Sequence, residues 1–120
     1  MASLPVERAT HIKETIGTLR AELGTRDIDS LISEPLELAG FKYLLMVISE
    51  AAGKLPIEWK QTHGPGIDWR RVADLGNVLR HAYDSVNAQT LWLIFRDDLD
   101  PLEAAIDRML AANPPPPARS

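Results

Sequence analysis

Cysteine is absent from this chain of 120 residues. Its absence excludes disulfide bonds, thiolate catalysis and zinc sites built on cysteine, and it is compatible with the cytoplasmic location that we expect. Long apolar runs are also missing, and a run such as Leu44 to Ile48 is far too short to span a membrane. The opening segment MASLPVE has neither the basic region nor the apolar core of a signal peptide, so we expect no membrane contact.

A strong excess of charge of one sign is lacking as well. The net charge is −4, with 25% charged and 45% hydrophobic residues, which is ordinary for a globular domain. Because there is no overall basic field to hold a long nucleic acid, any binding to RNA has to use a local patch. The densest basic group consists of Arg70, Arg71, Arg80 and His81.

No segment alternates polar and apolar residues over the length of a strand, so the predicted class is all-α. We expect an up-down bundle of four to five helices over residues 1–112, followed by a Pro-rich tail at 113–120. The tail is predicted to be extended polyproline II, either as a disordered end or as a PxxP ligand. The first helix is predicted from about Glu7 to Leu23, and a turn or short helix from Arg26 to Ile32.

The next helix is predicted to open with Ser33 as its N-cap and Pro35 in its first turn, and to run to about Lys54. Between residues 41 and 52 it is apolar nearly all round, so it is either central in the bundle or shared with a subunit interface. We expect a homodimer. Glu50 lies in this apolar stretch and needs a partner if it is buried, with Arg70, Arg71 or Lys54 as the candidates.

Polar caps divide the second half of the chain. Asp68 is predicted to cap a helix that ends near Tyr83 or Asp84, and Asn87 to cap the helix after it. Asp100, followed by a proline at the first helical position, is predicted to cap a last helix that continues to about residue 110.

The segment from Gly76 to Tyr83 holds the most informative chemistry. In a helix, Asn77 and His81 share one face while Arg80 and Tyr83 share the adjacent one. A guanidinium fork beside an imidazole that titrates near neutrality suits phosphodiester chemistry without a metal. On this pattern alone, a histidine and a tyrosine that cap or pack a helix end are an alternative interpretation.

Four blocks, in order along residues 8–110, carry a resemblance to a known family. They are the segment from Trp69 to Tyr83, the helix end ISEAAGKLP at 48–56, the linker at 63–69, and the closing pairs at 91–92 and 99–102. Together they resemble the HepT-like branch of the HEPN superfamily. Those proteins are small all-helical toxins whose signature is an arginine, four to six spacers, a histidine, one residue and a tyrosine.

The resemblance implies an endoribonuclease toxin that needs no metal and no cofactor. His81 moves the proton when an RNA 2′-hydroxyl attacks the adjacent phosphate, and Arg80 stabilises charge on the phosphoryl oxygens. Asn77 orients the imidazole, donates to phosphate, or only bonds locally. Tyr83 is the acceptor for adenylylation by a cognate nucleotidyltransferase antitoxin. The products are a 2′,3′-cyclic phosphate and a 5′-hydroxyl.

One position departs from the family pattern. The motif arginine falls five residues before the histidine, where this chain has Gly76. Arg80, one turn later, either reaches toward the missing guanidinium or is a solvated side chain on an inactive scaffold. The alternatives to a toxin nuclease are an inactive HEPN dimer that binds a nucleotidyltransferase, and a generic helical-bundle adaptor. For the nuclease we expect a dimer cleft lined by Arg80, His81 and Tyr83 from both chains.

Overall fold

The structure, a computed structural model, describes residues 4–114. Within that range it contains seven α-helices and a 3₁₀ turn at Tyr83–Ser85, which confirms the all-α class. The helices are α1 (Leu4–Leu23), α2 (Ile28–Ile32), α3 (Pro35–Gly53), α4 (Ile57–His63), α5 (Trp69–His81), α6 (Ala88–Asp97) and α7 (Leu99–Ala112). Five of them have ten residues or more, in agreement with the expected bundle. Nearly all of the predicted Pro-rich tail lies outside the described residues.

Helix α3 occupies the centre of the bundle and packs on both α1 and α5. The buried side chains of Phe41, Leu45 and Ile48 face the core. The ring of Phe41 meets Trp92 and Phe95 of α6 edge-on, with ring centroids 5.9 and 5.7 Å away. Such pairs add about 0.5–1.5 kcal/mol to the stability gained from burial alone. The buried part of the apolar sequence of α3 is therefore explained by its contacts with α1, α2, α5 and α6.

Helix α1 runs antiparallel to α7. Its apolar stripe of Ile12, Ile16, Leu19 and Leu23 is buried. At its surface, Lys13 pairs with Glu103 and Asp107 at 3.1 and 3.0 Å. Nearer the other end of α1, Arg20 pairs with Asp100 at 2.6 Å.

Two of the predicted caps were wrong. Ser33 is not the N-cap of α3, because it ends α2, where its hydroxyl donates to the Ser30 carbonyl at 2.8 Å. Asp100 is not the cap of α7, because that helix already begins at Leu99. Only Asp98 separates it from the end of α6. With no loop to cap, the Asp100 carboxylate binds Arg20 on α1 instead.

Helices α5 and α6 begin where the sequence predicts. The Asp68 carboxylate accepts from the backbone N–H of Arg71 at 3.0 Å, and the Asn87 side chain accepts from the first turn of α6. Helix α4 was not expected, because it has no buried residue and therefore no apolar stripe to reveal it. In residues 4–114, no helix combines the length and the apolar character that a membrane span requires.

Candidate active site

The site is built where α5 lies against α3. A Cβ atom placed on the buried Gly76 would lie 2.9 Å from the Cβ of Ser49 and 3.4 Å from the backbone nitrogen of Glu50. The first distance is shorter than such atoms tolerate, so any side chain at this position would force the two helices apart. The absence of a side chain at Gly76 therefore permits the close approach of α5 to α3.

Arg80 follows Gly76 by one helical turn and is tied to both helices. Its Nη1 lies 3.0 Å from Glu50 Oε1, and its Nη2 donates to Asn77 Oδ1 at 3.0 Å. The prediction that Glu50 would pair with Arg70, Arg71 or Lys54 was wrong. The antiparallel packing instead places the last turns of α5 beside Glu50.

His81 is the last residue of α5, and its side chain is exposed. Its side chain makes no hydrogen bond or ion pair to any other residue that the structure describes. Asn77 is also exposed on α5, but its amide oxygen is engaged by Arg80 rather than by the imidazole. The local bonding that was one interpretation of Asn77 is thus present in the structure.

Tyr83 does not share a face with Arg80. The helix was predicted to continue to Tyr83 or Asp84, but it ends at His81, and Tyr83 turns back onto α3. There its hydroxyl donates to the Ala39 carbonyl at 3.1 Å. The tyrosine is half-buried and packs at the end of α5, as the alternative interpretation of this segment has it, with its hydroxyl bonded to the protein.

Lys42 contacts Tyr83, and the sequence interpretation missed this contact. It is buried on α3, with 7% of its surface exposed, and its Nζ donates to the Tyr83 carbonyl at 3.2 Å. The same atom lies 5.0 Å from the centre of the Tyr83 ring, within the range of a cation–π contact. The sequence signal that could have revealed this residue is a lysine in an otherwise apolar helix, because a lysine is rarely buried unless it is paired.

The residues of the predicted basic patch lie at opposite ends of α5. Arg70 and Arg71 lie in its first turn and Arg80 in its last, about 15 Å apart at 1.5 Å per residue.

Arg71 lines a groove of about 510 Å³ between α3, α5 and the α6–α7 corner. The groove has mainly apolar walls, which include Leu45, Ile48, Ile67, Val72, Leu75, Val78, Ile94, Leu99 and Leu102. The structure therefore brings Asn77 and Arg80 into contact. His81 follows Arg80 at the end of α5 without a contact between their side chains, and Tyr83 packs near Ala39, away from Arg80. Arg70 and Arg71 lie apart at the other end of α5.

Comparison with known proteins identifies the family. The family model "Ribonuclease HepT-like" matches residues 12–109, which include every helix that forms the site. The chain belongs to the HepT-like family, and the resemblance drawn from the sequence is confirmed.

Two curated relatives agree with this assignment. "Probable ribonuclease HepT" of Thermococcus cleftensis is 32% identical over 65 residues, which cover 54% of this chain and 58% of the relative. "Putative RNase TTE0752" of Caldanaerobacter subterraneus subsp. tengcongensis is 26% identical over 82 residues, 68% of this chain and 72% of that protein. The match to the first relative thus spans less than two thirds of its length. No solved structure matches the chain.

Proposed function

We propose that this protein is a metal-independent endoribonuclease and the toxin of a toxin–antitoxin pair. The observation that carries the proposal is the exposed imidazole of His81 next to Arg80, in a chain of the HepT-like family. Three of the five N–H groups of the Arg80 guanidinium make no hydrogen bond to the described residues, so they can face a phosphate.

The reaction uses the ribose as its own nucleophile. The 2′-oxygen forms a bond to the adjacent phosphorus while the bond from phosphorus to the 5′-oxygen breaks. His81 accepts the proton of the 2′-hydroxyl, and the imidazolium that forms returns this proton to the departing 5′-oxygen. Arg80 binds the phosphoryl oxygens as negative charge accumulates on them. The products are a 2′,3′-cyclic phosphate and a 5′-hydroxyl.

Incubation of the purified protein with RNA in EDTA tests this reaction. We expect fragments with cyclic-phosphate ends, and a loss of about 10²–10⁴-fold in rate for His81→Ala, the range for removal of a positioned acid or base. His11→Ala is the matched control, because His11 is an exposed histidine on α1 and should not affect the rate. Undiminished cleavage by His81→Ala contradicts the mechanism.

Tyr83 is proposed as the acceptor for adenylylation by a nucleotidyltransferase antitoxin. The phenolic oxygen attacks the α-phosphorus of ATP and pyrophosphate leaves. The ammonium of Lys42 beside the ring supports this role, because it supplies a positive charge near the incoming phosphate. The Tyr83 hydroxyl must first leave the Ala39 carbonyl. Once attached, the nucleotide would repel RNA phosphates from the site.

Mass spectrometry after incubation with ATP and a candidate nucleotidyltransferase antitoxin tests the modification. We expect a gain of one adenylyl group, its loss in Tyr83→Phe and its persistence in Tyr43→Phe. Tyr43 suits the control because it is a tyrosine on α3 with 56% of its surface exposed. Equal labelling of wild type and Tyr83→Phe rules out this acceptor.

A homodimer is proposed to form a cleft lined by Arg80, His81 and Tyr83 of both subunits. One chain offers a single motif histidine, whereas acid–base catalysis gains from two. The exposed apolar side chains of Leu36 on α3 and Val78 on α5, at 90% and 48%, support an interface beside the site. Light scattering at micromolar concentration should give twice the subunit mass. A monomer, or a dimer whose two His81 side chains face away from each other, contradicts this proposal.

One observation favours a second candidate, the inactive HEPN dimer that survives as a nucleotidyltransferase partner. Gly76 leaves no room for the arginine of the family pattern, and Arg80 is paired with a carboxylate. Expression without the antitoxin separates the two functions, because a nuclease toxin arrests growth and an inactive dimer does not. Membership of the HepT-like family leaves no observation in favour of a generic adaptor.

A further inference from the structure

The packing of α5 on α3 determines which residue can present a guanidinium at this site. The 2.9 Å approach of a Cβ at Gly76 to the Cβ of Ser49 excludes an arginine there as long as the helices keep this contact. Neither partner is the free end of a flexible side chain, so the crowding cannot be relieved by a change of rotamer. The guanidinium has to come from another turn of α5.

Arg80 is in the right place to provide it. Side chains in an α-helix lean toward the N-terminus, so the guanidinium of Arg80 lies over the turn that contains Gly76 and Asn77. Asn77 accepts from Nη2, on the same helix, and Glu50 binds Nη1 from the neighbouring helix. Two anchors on different nitrogens restrict both the position and the plane of the guanidinium.

We propose that Glu50 is a positioning residue that holds Arg80 in place of the arginine missing from position 76, and that the close contact at Gly76 brings Glu50 within reach. This inference rests on the proposed ribonuclease function. It assigns to Glu50 a role that acts through Arg80, without contact with the RNA.

Removal of the charge of Glu50 has opposite effects on the rate under two explanations, so the direction of the change tests the proposal. A carboxylate 3.0 Å from a guanidinium weakens the attraction of that guanidinium for phosphate. If this were the whole effect, Glu50→Gln would strengthen RNA binding and raise the rate. If Glu50 positions Arg80, the same variant lowers kcat while KM stays the same or falls, because the interaction lost is one made in the transition state.

A double-mutant cycle provides the test. We expect Glu50→Gln to lower kcat about tenfold in the wild-type background and less than about twofold in an Arg80→Ala background, since the effect passes through Arg80. Glu14→Gln, at an exposed carboxylate on α1, is the control for the change in net charge and should leave kcat unchanged. Thermal unfolding of each variant shows that the fold is retained. An unchanged or higher kcat in Glu50→Gln, or an equal loss in both backgrounds, overturns the proposal.

A second measurement separates this inference from the proposed function. The NMR signal of the Arg80 Nε–H group, assigned by its disappearance in Arg80→Lys, reports whether the guanidinium is held. We expect an ordered signal in the wild type that becomes averaged in Glu50→Gln and stays unchanged in Glu14→Gln. If the wild type cleaves no RNA, the ribonuclease function fails, while the positioning of Arg80 is still decided by this signal. An unchanged signal in Glu50→Gln overturns the positioning.

Discussion

At the scale of single residues, a substitution at Gly76 changes the stability through two opposing effects, helix propensity and steric crowding. Alanine is favoured over glycine inside a helix by about 0.5–1 kcal/mol, because glycine loses more backbone entropy on folding. At Gly76, however, the added methyl group meets Ser49 at 2.9 Å, and overpacking of this kind costs about 1–3 kcal/mol. The steric cost is the larger of the two.

We therefore expect Gly76→Ala to lower the free energy of unfolding by up to about 2 kcal/mol, the difference between these two effects. Gly17→Ala is the matched control, because Gly17 is exposed in α1 and a Cβ there meets nothing within 4 Å. That variant should be more stable than wild type by up to about 1 kcal/mol. Urea denaturation measures both changes, and stabilisation by Gly76→Ala would contradict the close contact.

Tyr83 also has a structural role that can be measured without an antitoxin. Its hydroxyl bond to the Ala39 carbonyl fastens the 3₁₀ turn after α5 to α3. Tyr83→Phe keeps the ring beside Lys42 but loses this bond, so we expect a loss of about 0.5–1.5 kcal/mol in unfolding free energy. Tyr43→Phe should change the stability by less, because Tyr43 is exposed. Equal stabilities of the two variants would show that the bond contributes nothing.

At the scale of the element, the N-cap of α5 supports the helix that carries the site. Asp68 satisfies the N–H group of Arg71 and places a negative charge at the positive end of the helix dipole. Asp68→Ala should lower the unfolding free energy by about 0.5–2 kcal/mol. Asp74→Ala removes an equal charge from the middle of the same helix, where no cap is lost. If thermal melts show the same loss for both, then charge rather than capping explains the effect.

The helices show which part of the fold can be predicted from the sequence. Asp68 and Asn87 were predicted correctly because a cap depends only on the next three residues. Ser33 and Asp100 have the same local signal, yet neighbouring helices follow so closely that these residues serve other contacts. A cap signal in the sequence does not show that only one or two residues separate two helices, so it does not show where the second helix begins.

The site shows the same limit. His81 stays a prediction from the spacing of the motif, which depends only on the sequence. The Glu50–Arg80 pair and the buried Lys42 depend on how α5 lies on α3, and residues 50 and 80 are thirty positions apart in the chain. Tyr83 was placed on the wrong face because periodicity was continued past the end of a helix. Only the packing of the two helices shows these three features.

At the scale of the whole molecule, Lys13 joins the first described helix to the last. Hydrogen bonds to Asp107, and then to Glu103, raise the pKa of Lys13 above its ordinary value of 10.5. A raised lysine pKa means that the pair stabilises the fold fully below the unfolded value, and that the stabilisation is lost as the pH rises through the folded value. The loss therefore falls above pH 10.5.

We expect Lys13→Gln to lower the unfolding free energy by about 0.2–1 kcal/mol at neutral pH, since the pair is largely exposed. The difference from wild type should stay constant up to about pH 10 and shrink above it, in the range where the lysine loses its charge. Urea denaturation at several alkaline pH values measures it. A difference that is unchanged at the highest pH values would assign the effect to packing of the lysine chain rather than to its charge.

The contact between Gly76 and Ser49 also makes the order of substitutions matter. An arginine introduced at position 76 meets the Cβ of Ser49 before it can act, so as a first step the change is harmful. Ser49→Gly removes the nearest obstacle, and only after that change does the arginine have space. By then Arg80 and Glu50 already form a pair, which a second guanidinium would disturb. An arginine at position 76 therefore requires at least two substitutions, with the change at position 49 made first.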